Sequence, residues 1–205
     1  MIDTEDAAKA YCETLCDTEA MTRLSELATA LREENSKQNL IAKASESQIW
    51  QRHIADSLQL LEFVPRGTGA WMDLGSGAGF PGLALAIARP DQSVVLVESR
   101  RKRIDWLQAM VARFSLAKCR VEGARLENVD GFACGVVTAR AFAPLEKLLR
   151  LSARFSTPDT VWLLPKGRSA AQELDKQSKV IQNMFHVEQS RTDEEAQILV
   201  GKGKA

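Results

Sequence analysis

A doubly wound α/β sheet, seven strands wide and mainly parallel, is the architecture these 205 residues predict. Three observations predict it. From residue 70 onward, short apolar runs alternate with amphipathic stretches, the rhythm of buried strands joined by crossover helices. The first run ends in a glycine-rich loop, Asp73-Leu74-Gly75-Ser76-Gly77-Ala78-Gly79-Phe80-Pro81-Gly82, where such sheets bind their ligands. The last two runs follow each other closely, as a hairpin-like pair would.

The elements follow in order. Residues 1–64 read as helices, with Met21, Leu24, Leu27, Ala28 and Leu31 in one apolar stripe. Ser45-Glu46-Ser47-Gln48 has capping-box spacing and predicts a helix carrying Trp50, Ile54, Leu58 and Leu61. Pro65-Arg66-Gly67-Thr68-Gly69 breaks that helix. The break separates an N-terminal helical segment, 1–64, from a main domain, 65–205, the first packed on the second as one structural unit. Strands are expected at 70–75, 93–99, 119–124, 135–142 and 160–167, and over Phe185–Ser190 and Ala196–Gly203. Pro81 suits the first turn of a helix running to Ala88. Ile104, Leu107, Met110, Val111 and Phe114 mark the core face of another, Pro144 starts a third, and a polar helix is expected near 168–182.

Composition is that of an ordinary globular protein, 45% hydrophobic and 26% charged. The 27 basic and 27 acidic residues cancel, so contact with nucleic acid must rest on a local basic patch. The acidic N-terminus lacks the apolar core of a signal peptide, and no stretch has the length of a membrane span, so a cytoplasmic protein without membrane contact is expected. Cys12 and Cys16 lie one helical turn apart, as two metal ligands would. With Cys119 and Cys134 they show no secreted framework, and the two histidines add no zinc spacing; reduced thiols and no metal are expected.

Two fingerprints overlap in the glycine loop. Gly77-x-Gly79-x-x-Gly82 is the dinucleotide pattern, whereas Asp73-x-Gly75-x-Gly77-x-Gly79 has the shape of an S-adenosylmethionine site. Glu98, at the end of the second strand, is placed to accept ribose hydroxyls in either case. Asp73 discriminates. A carboxylate there repels a pyrophosphate but suits a sulfonium with an α-amino group. The plain alternative is that Asp73 only accepts hydrogen bonds from loop amides.

The end of the fourth strand reads Thr138-Ala139-Arg140-Ala141-Phe142-Ala143-Pro144. It lacks the Asn or Asp that accepts an exocyclic amine, and Cys134 lies at the wrong end of the strand for ring-carbon chemistry. A ring nitrogen such as guanine N7 has a lone pair and no proton, so it needs neither device and no general base; no catalytic residue is assigned, and alignment suffices. Arg140 then serves a guanine edge, a phosphate or the donor's carboxylate. Arg100, Arg101, Lys102 and Arg103 form a basic patch at a helix start, where the macrodipole disfavours cations, which points to phosphate. Lys166 and Arg168 are expected on the same rim. His53 and Asp56 share a helix face, read here as a structural pair rather than a cover over the acceptor pocket.

Seven stretches resemble the bacterial 16S rRNA guanine-N7 methyltransferases, the glucose-inhibited division protein B family: 37–42, 52–57 (Arg-His-Ile-Ala-Asp-Ser), 73–82, 101–107, 123–129, 138–145 and 164–167. The resemblance implies a class I, Rossmann-like, S-adenosylmethionine-dependent fold. It also implies transfer to N7 of the guanine at position 527, in the 530 loop of 16S rRNA. It implies donor contacts at Gly75, Phe80, Leu126, Glu127 and Arg140, beside the Asp73, Gly77, Gly79 and Glu98 read from the loop. His53, Arg125 and Lys166 match family positions near the cleft and join Arg103 and Arg140 as candidate substrate contacts. The small ribosomal subunit or an assembly intermediate is the expected partner, and a monomer the expected state. Ile41 departs from the usual Thr, and the C-terminal strands match loosely. The competing readings are a methyltransferase for a small molecule or protein, an NAD-dependent oxidoreductase and a donor-binding module without catalysis. The oxidoreductase lacks a Tyr-Lys or His-Asp hydride-transfer pair, since Tyr11 is the one tyrosine.

Overall fold

The computed structural model describes residues 1–65 and 67–205; Arg66, within the expected break, lies outside the described residues. Two helices open the chain, α1 (Glu5–Leu15) and α2 (Thr18–Asn35), capped by Thr4 and Asp17 side chains that accept amides of the first turn. Leu24, Leu27, Ala28 and Leu31 of the expected stripe are buried, and Met21 packs at its edge.

The next stretch departs from expectation. Residues Lys43–Gln48 form a 3-10 turn without a side-chain cap, followed by a π-helical turn, Trp50–Ala55, a single α-turn α3 (Asp56–Leu58) and a 3-10 turn, Gln59–Phe63. The capping box does not form because its side chains are engaged elsewhere: Ser45 donates to the Ala42 carbonyl and meets His53, and Glu46 accepts from Asn35. The start of the π-turn is capped from a distance by Glu5, whose carboxylate accepts the amides of Trp50 and Gln51.

The main unit then alternates through β1 (Trp71–Leu74), α4 (Gly82–Ala88), β2 (Val94–Val97), α5 (Arg101–Arg113), β3 (Cys119–Glu122), β4 (Val136–Thr138), α6 (Leu145–Ser152) and β5 (Val161–Lys166). It closes with α7 (Ala170–Asp175), α8 (Lys179–Gln182), β6 (Phe185–Gln189) and β7 (Gln197–Lys202). The expected polar helix near 168–182 is thus two short helices. The strands form one seven-stranded sheet in the order β3-β2-β1-β4-β5-β7-β6. The first five are parallel, and β7 runs antiparallel between β5 and β6.

Alternation along each strand divides the core. Trp71, Val94, Leu96 and Leu163 face a cluster built with α1, α2, α4 and α5, while Met72, Val95, Val97 and Leu164 face one built with α6 and α7. The N-terminal helices therefore bury their stripe against the same sheet face as α4. The chain reverses direction of winding between β1 and β4, so the crevice beyond their carboxyl ends is where this topology holds a ligand. Among the described residues no helix is long and apolar enough to cross a membrane, and no cluster of His, Cys, Asp or Glu is arranged to hold a metal. All four cysteines are free, and burial pushes the Cys12 thiol up to about 12.

Candidate functional site

The glycine loop leaves β1 and crosses to β2, with the amides of Gly75 and Ser76 donating to the Val97 carbonyl at 2.8 and 3.0 Å. Gly79 has φ +106°, and a Cβ there would meet Leu83 at 2.8 Å. At Gly82 a Cβ would lie 2.5 Å from Leu96 and 2.6 Å from the Asp73 carboxylate. These glycines thus let backbone pass where side chains already stand.

Asp73 is buried beneath this loop. Its Oδ2 accepts the Gly82 amide at 3.1 Å, but its Oδ1 is buried without a partner. Burial pushes the carboxyl up to about 6, against the lowering pull of Ser76 and of the Gly82 amide. The plain alternative is thus observed, since one carboxylate oxygen braces the loop by accepting a loop amide. Glu98 is more fully engaged, accepting Gly77 at 3.0 Å, Ser99 at 2.7 Å and Arg100 at 2.8 Å through their amides. Leu126, in a 3-10 turn after β3, is buried and its carbonyl accepts from Arg154, while Glu127 and Arg125 are exposed. Arg103 leans over the loop, its Nη1 3.5 Å from where a Cβ on Gly77 would stand.

The other side of the crevice is made by distant segments. β4 ends at Thr138, short of the expected strand, because Ala141 turns the chain with φ +54°. This turn sends Arg140 toward the N-terminal segment. Its Nη1 donates to the Arg52 carbonyl at 3.1 Å and to Asp56 Oδ2 at 3.2 Å, and its Nη2 donates to His53 Nδ1 at 3.1 Å. The guanidinium lies 5.5 Å from the Phe80 ring, and His53 stacks on that ring at 5.2 Å. The expectation that His53 and Asp56 pair with each other is corrected: both instead hold Arg140. The π-turn that precedes Asp56 is the local departure that brings them there, in keeping with the frequency of such turns at functional sites.

Burial, with Arg140 and then Arg52 nearby, drives the His53 pKa down to about 3, so the ring is neutral. Since Nδ1 accepts from Arg140, the proton sits on Nε2 and is donated to Ser45 Oγ at 2.9 Å; Ser45 in turn donates to the Ala42 carbonyl at 2.8 Å. One directed chain of hydrogen bonds thus runs from Arg140 into the N-terminal segment. Asp56 ties in the C-terminal strands as well, accepting from Gln59 at 2.9 Å and Thr192 at 3.0 Å.

These groups line a cleft of about 670 Å³ that includes Ser45, His53, Asp56, Arg140, Phe142 and Lys166. Lys166 is at the carboxyl end of β5 as expected, yet its amine is committed to Glu173 at 2.9 Å and the Ala143 carbonyl at 3.2 Å. Arg168 pairs with Glu195 at 3.0 Å. The patch at 100–103 stands three strands away, beyond β2, so the cations form two groups on one rim rather than one surface. Sequence reasoning does not assign Ser45, Phe142, Gln59 or Thr192 to the site: Ser45 reads as a helix cap and Phe142 only as part of a strand end, while Gln59 and Thr192 are held by partners remote in the chain. Arg52 and Asp193, also missed, meet at 2.6 Å across the cleft mouth.

The family model described as "GidB: rRNA small subunit methyltransferase G" matches residues 20–198. A protein of Erythrobacter litoralis named ribosomal RNA small subunit methyltransferase G is 60% identical over 205 residues, covering 100% of this chain and 99% of its own. One of the same name from Novosphingobium aromaticivorans is 48% identical, covering 97% and 88%. Among solved structures, a precorrin-6y C5,15-methyltransferase from Geobacter metallireducens superposes with a TM-score of 0.55 at 12% identity, over 82% of this chain and 92% of that one, a likeness of fold alone.

Proposed function

This chain belongs to the rRNA small subunit methyltransferase G family, and from that premise we propose that it transfers a methyl group from S-adenosylmethionine to N7 of a guanine in the 530 loop of 16S rRNA, at position 527. The single observation that supports the reading from the structure is that the glycine loop meets the arginine-centred cleft: the Arg140 guanidinium lies 5.5 Å from the Phe80 ring, and Phe142 of the cleft stands 2.8 Å from where a Cβ on Gly75 would be. The NAD-dependent alternative falls with the family, and a buried carboxylate at the loop is the wrong charge for its pyrophosphate.

The residues present fit the methyl donor. Gly77 leaves room beside its backbone for close approach, while Gly75 and Gly79 let the loop turn against Phe142 and Leu83, and the Asp73 carboxylate lies beneath them. Phe80, Glu98, Leu126, Glu127 and Arg140 complete the donor's surroundings in this reading. When bound, S-adenosylmethionine supplies an electrophilic methyl on a sulfonium. The chain's own task is then to align and to exclude water. Guanine N7 has no proton to remove, so no base is called for, and His53 is neutral with both ring nitrogens committed. Arg140, fixed by three acceptors and stacked over Phe80, is the group placed to orient the reacting partners. His53 and Asp56 act through it as positioning residues. Correct orientation alone can lower such a barrier by ~7–11 kcal/mol.

Arg103, Arg125 and Lys166 are proposed RNA contacts, Lys166 only where substrate displaces its pairing with Glu173. With zero net charge the protein has little general attraction for RNA. The small subunit or an assembly intermediate is therefore the proposed substrate; separately, a monomer is the proposed state. Tritiated methyl transfer to unmethylated small subunits, with protein-free 16S rRNA in parallel, tests this. Transfer to subunits should be faster by a wide margin; equal transfer to free rRNA contradicts the choice of substrate, and no label in either contradicts the activity.

A further inference from the structure

The mouth of the cleft is guarded by acid. The turn joining β6 to β7 carries Asp193, Glu194 and Glu195 in succession, and Asp193 lines the cleft itself. A cleft that admits RNA would be expected to avoid three carboxylates there. Each of two has an arginine partner from a different wall. Asp193 holds Arg52, from the π-turn, at 2.6 Å, and Glu195 holds Arg168, from the loop after β5, at 3.0 Å.

The turn is built to keep these carboxylates in place. The Asp193 side chain accepts the Glu195 amide at 2.9 Å, and Gln189 donates to the carbonyls of Asp193, Glu194 and Ala196 at 3.2, 3.0 and 2.9 Å. The arginines, by contrast, are accessible: the Arg52 side chain is 46% and that of Arg168 77% exposed. Pairs at such exposure are weak and exchange readily. The nearby Lys166–Glu173 pair differs, with the lysine side chain 10% exposed and bonded to backbone as well, so it exchanges less readily. A guanidinium fork accepts a phosphate with the same geometry as a carboxylate. Arg52 also presents its carbonyl to Arg140, so its side chain emerges beside the group that orients the reaction.

Resting on the reading that the acceptor is RNA, we infer that Arg52 and Arg168 grip substrate phosphates, and that Asp193 and Glu195 are built-in competitors that hold them in neutral pairs until phosphates take the carboxylates' place. The exchange has a thermodynamic signature. A phosphate that binds a free arginine releases a counterion. One that displaces a carboxylate leaves that carboxylate to gather a cation, and the two effects cancel.

The test is the salt dependence of binding to unmethylated small subunits and to poly(U), by filter binding, for the wild type and the Asp193→Asn/Glu195→Gln variant. Freeing two arginines should steepen the slope of log K against log salt by about 1.4–1.8, and tighten binding most at low salt. Adding Arg52→Gln and Arg168→Gln to that variant should return the slope to the wild-type value. An unchanged slope in the first variant overturns the proposal, as does a steepening that survives loss of both arginines. Donor affinity, measured by calorimetry, shows that each variant keeps its fold. Methyl transfer with unaltered slopes would sink this inference and spare the function; the predicted slopes without any methyl transfer would do the reverse.

Discussion

The two sides of the crevice are built by opposite means. The proposed donor side is one continuous loop, Asp73–Gly82, almost wholly buried and held by amides, with its demands written in adjacent residues. The proposed acceptor side is assembled from separate places, among them the π-turn, the end of β4, the loop after β5 and the β6–β7 turn. It is held by ion pairs and hydrogen bonds between partners up to 141 residues apart. A contiguous loop is intolerant of change in size, whereas an assembled cleft is intolerant of change in charge. Substitutions should separate the two.

The largest effect is expected at Gly82. Valine there must displace Leu96 and the Asp73 side chain, which approach a Cβ to 2.5 and 2.6 Å. Overpacking at one buried position costs ~1–3 kcal/mol. The melting temperature should drop and donor binding should vanish in calorimetry. Retained donor affinity would show that the loop is looser than described.

Arg140→Ala comes next. Removing the guanidinium strands Asp56 and His53 Nδ1, at ~1–3 kcal/mol for an unsatisfied buried group. Methyl transfer should fall by roughly 100-fold or more, as misplacement of oriented groups does, while the protein still folds. Wild-type turnover would remove Arg140 from the account.

Asp73→Asn should act in two directions. A carboxyl raised to about 6 from an ordinary 3.8 is stabilised while protonated, and that stability is lost as pH rises through about 6. At pH 8 the unliganded variant should therefore be more stable than wild type, by up to about 3 kcal/mol at 1.36 kcal/mol per unit, and should melt at a higher temperature. Donor binding should weaken by about tenfold, a magnitude of ~1.4 kcal/mol for one lost charge contact. Wild-type affinity should fall below pH 6 as Asp73 takes up its proton, and the variant's should be flat there. A pH-dependent variant would place the titration elsewhere.

His53→Gln is the gentlest. The ring's pKa is lowered from 6.5 to about 3, so its contribution to stability is present above pH 6.5 and lost as pH falls toward 3. The acid limb of the variant's stability curve should be flatter, with only a few-fold loss in turnover if glutamine still accepts from Arg140. A limb as steep as wild type would mean that His53 is not the titrating group.

The same contrast explains what the sequence could tell. Strand and helix alternation, the hairpin-like final pair and the glycine loop between β1 and α4 are local patterns, and they appear where expected. Ser45-Glu46-Ser47-Gln48 misled because a capping box is also a local pattern, overridden here by His53 and Asn35 from other turns. The breaks in the polar helix and in β4 are local too, but Ala141 at positive φ carries no residue signal. Arg140 was legible as important yet its partners were not, since His53 and Asp56 reach it only through a π-turn that periodicity does not announce. The Arg52–Asp193 contact had no signal, although Arg52 opens a family-like stretch: their meeting depends on how the last two strands close the sheet.

The most direct test of the central claim is to locate the methyl group. Small subunits lacking the modification are incubated with the protein and labelled S-adenosylmethionine, and the extracted rRNA is cleaved with borohydride and aniline, which cut at N7-methylated guanine. A single cut at a guanine of the 530 loop is the predicted result. Label in the RNA without that cut, or a cut elsewhere, would contradict the account.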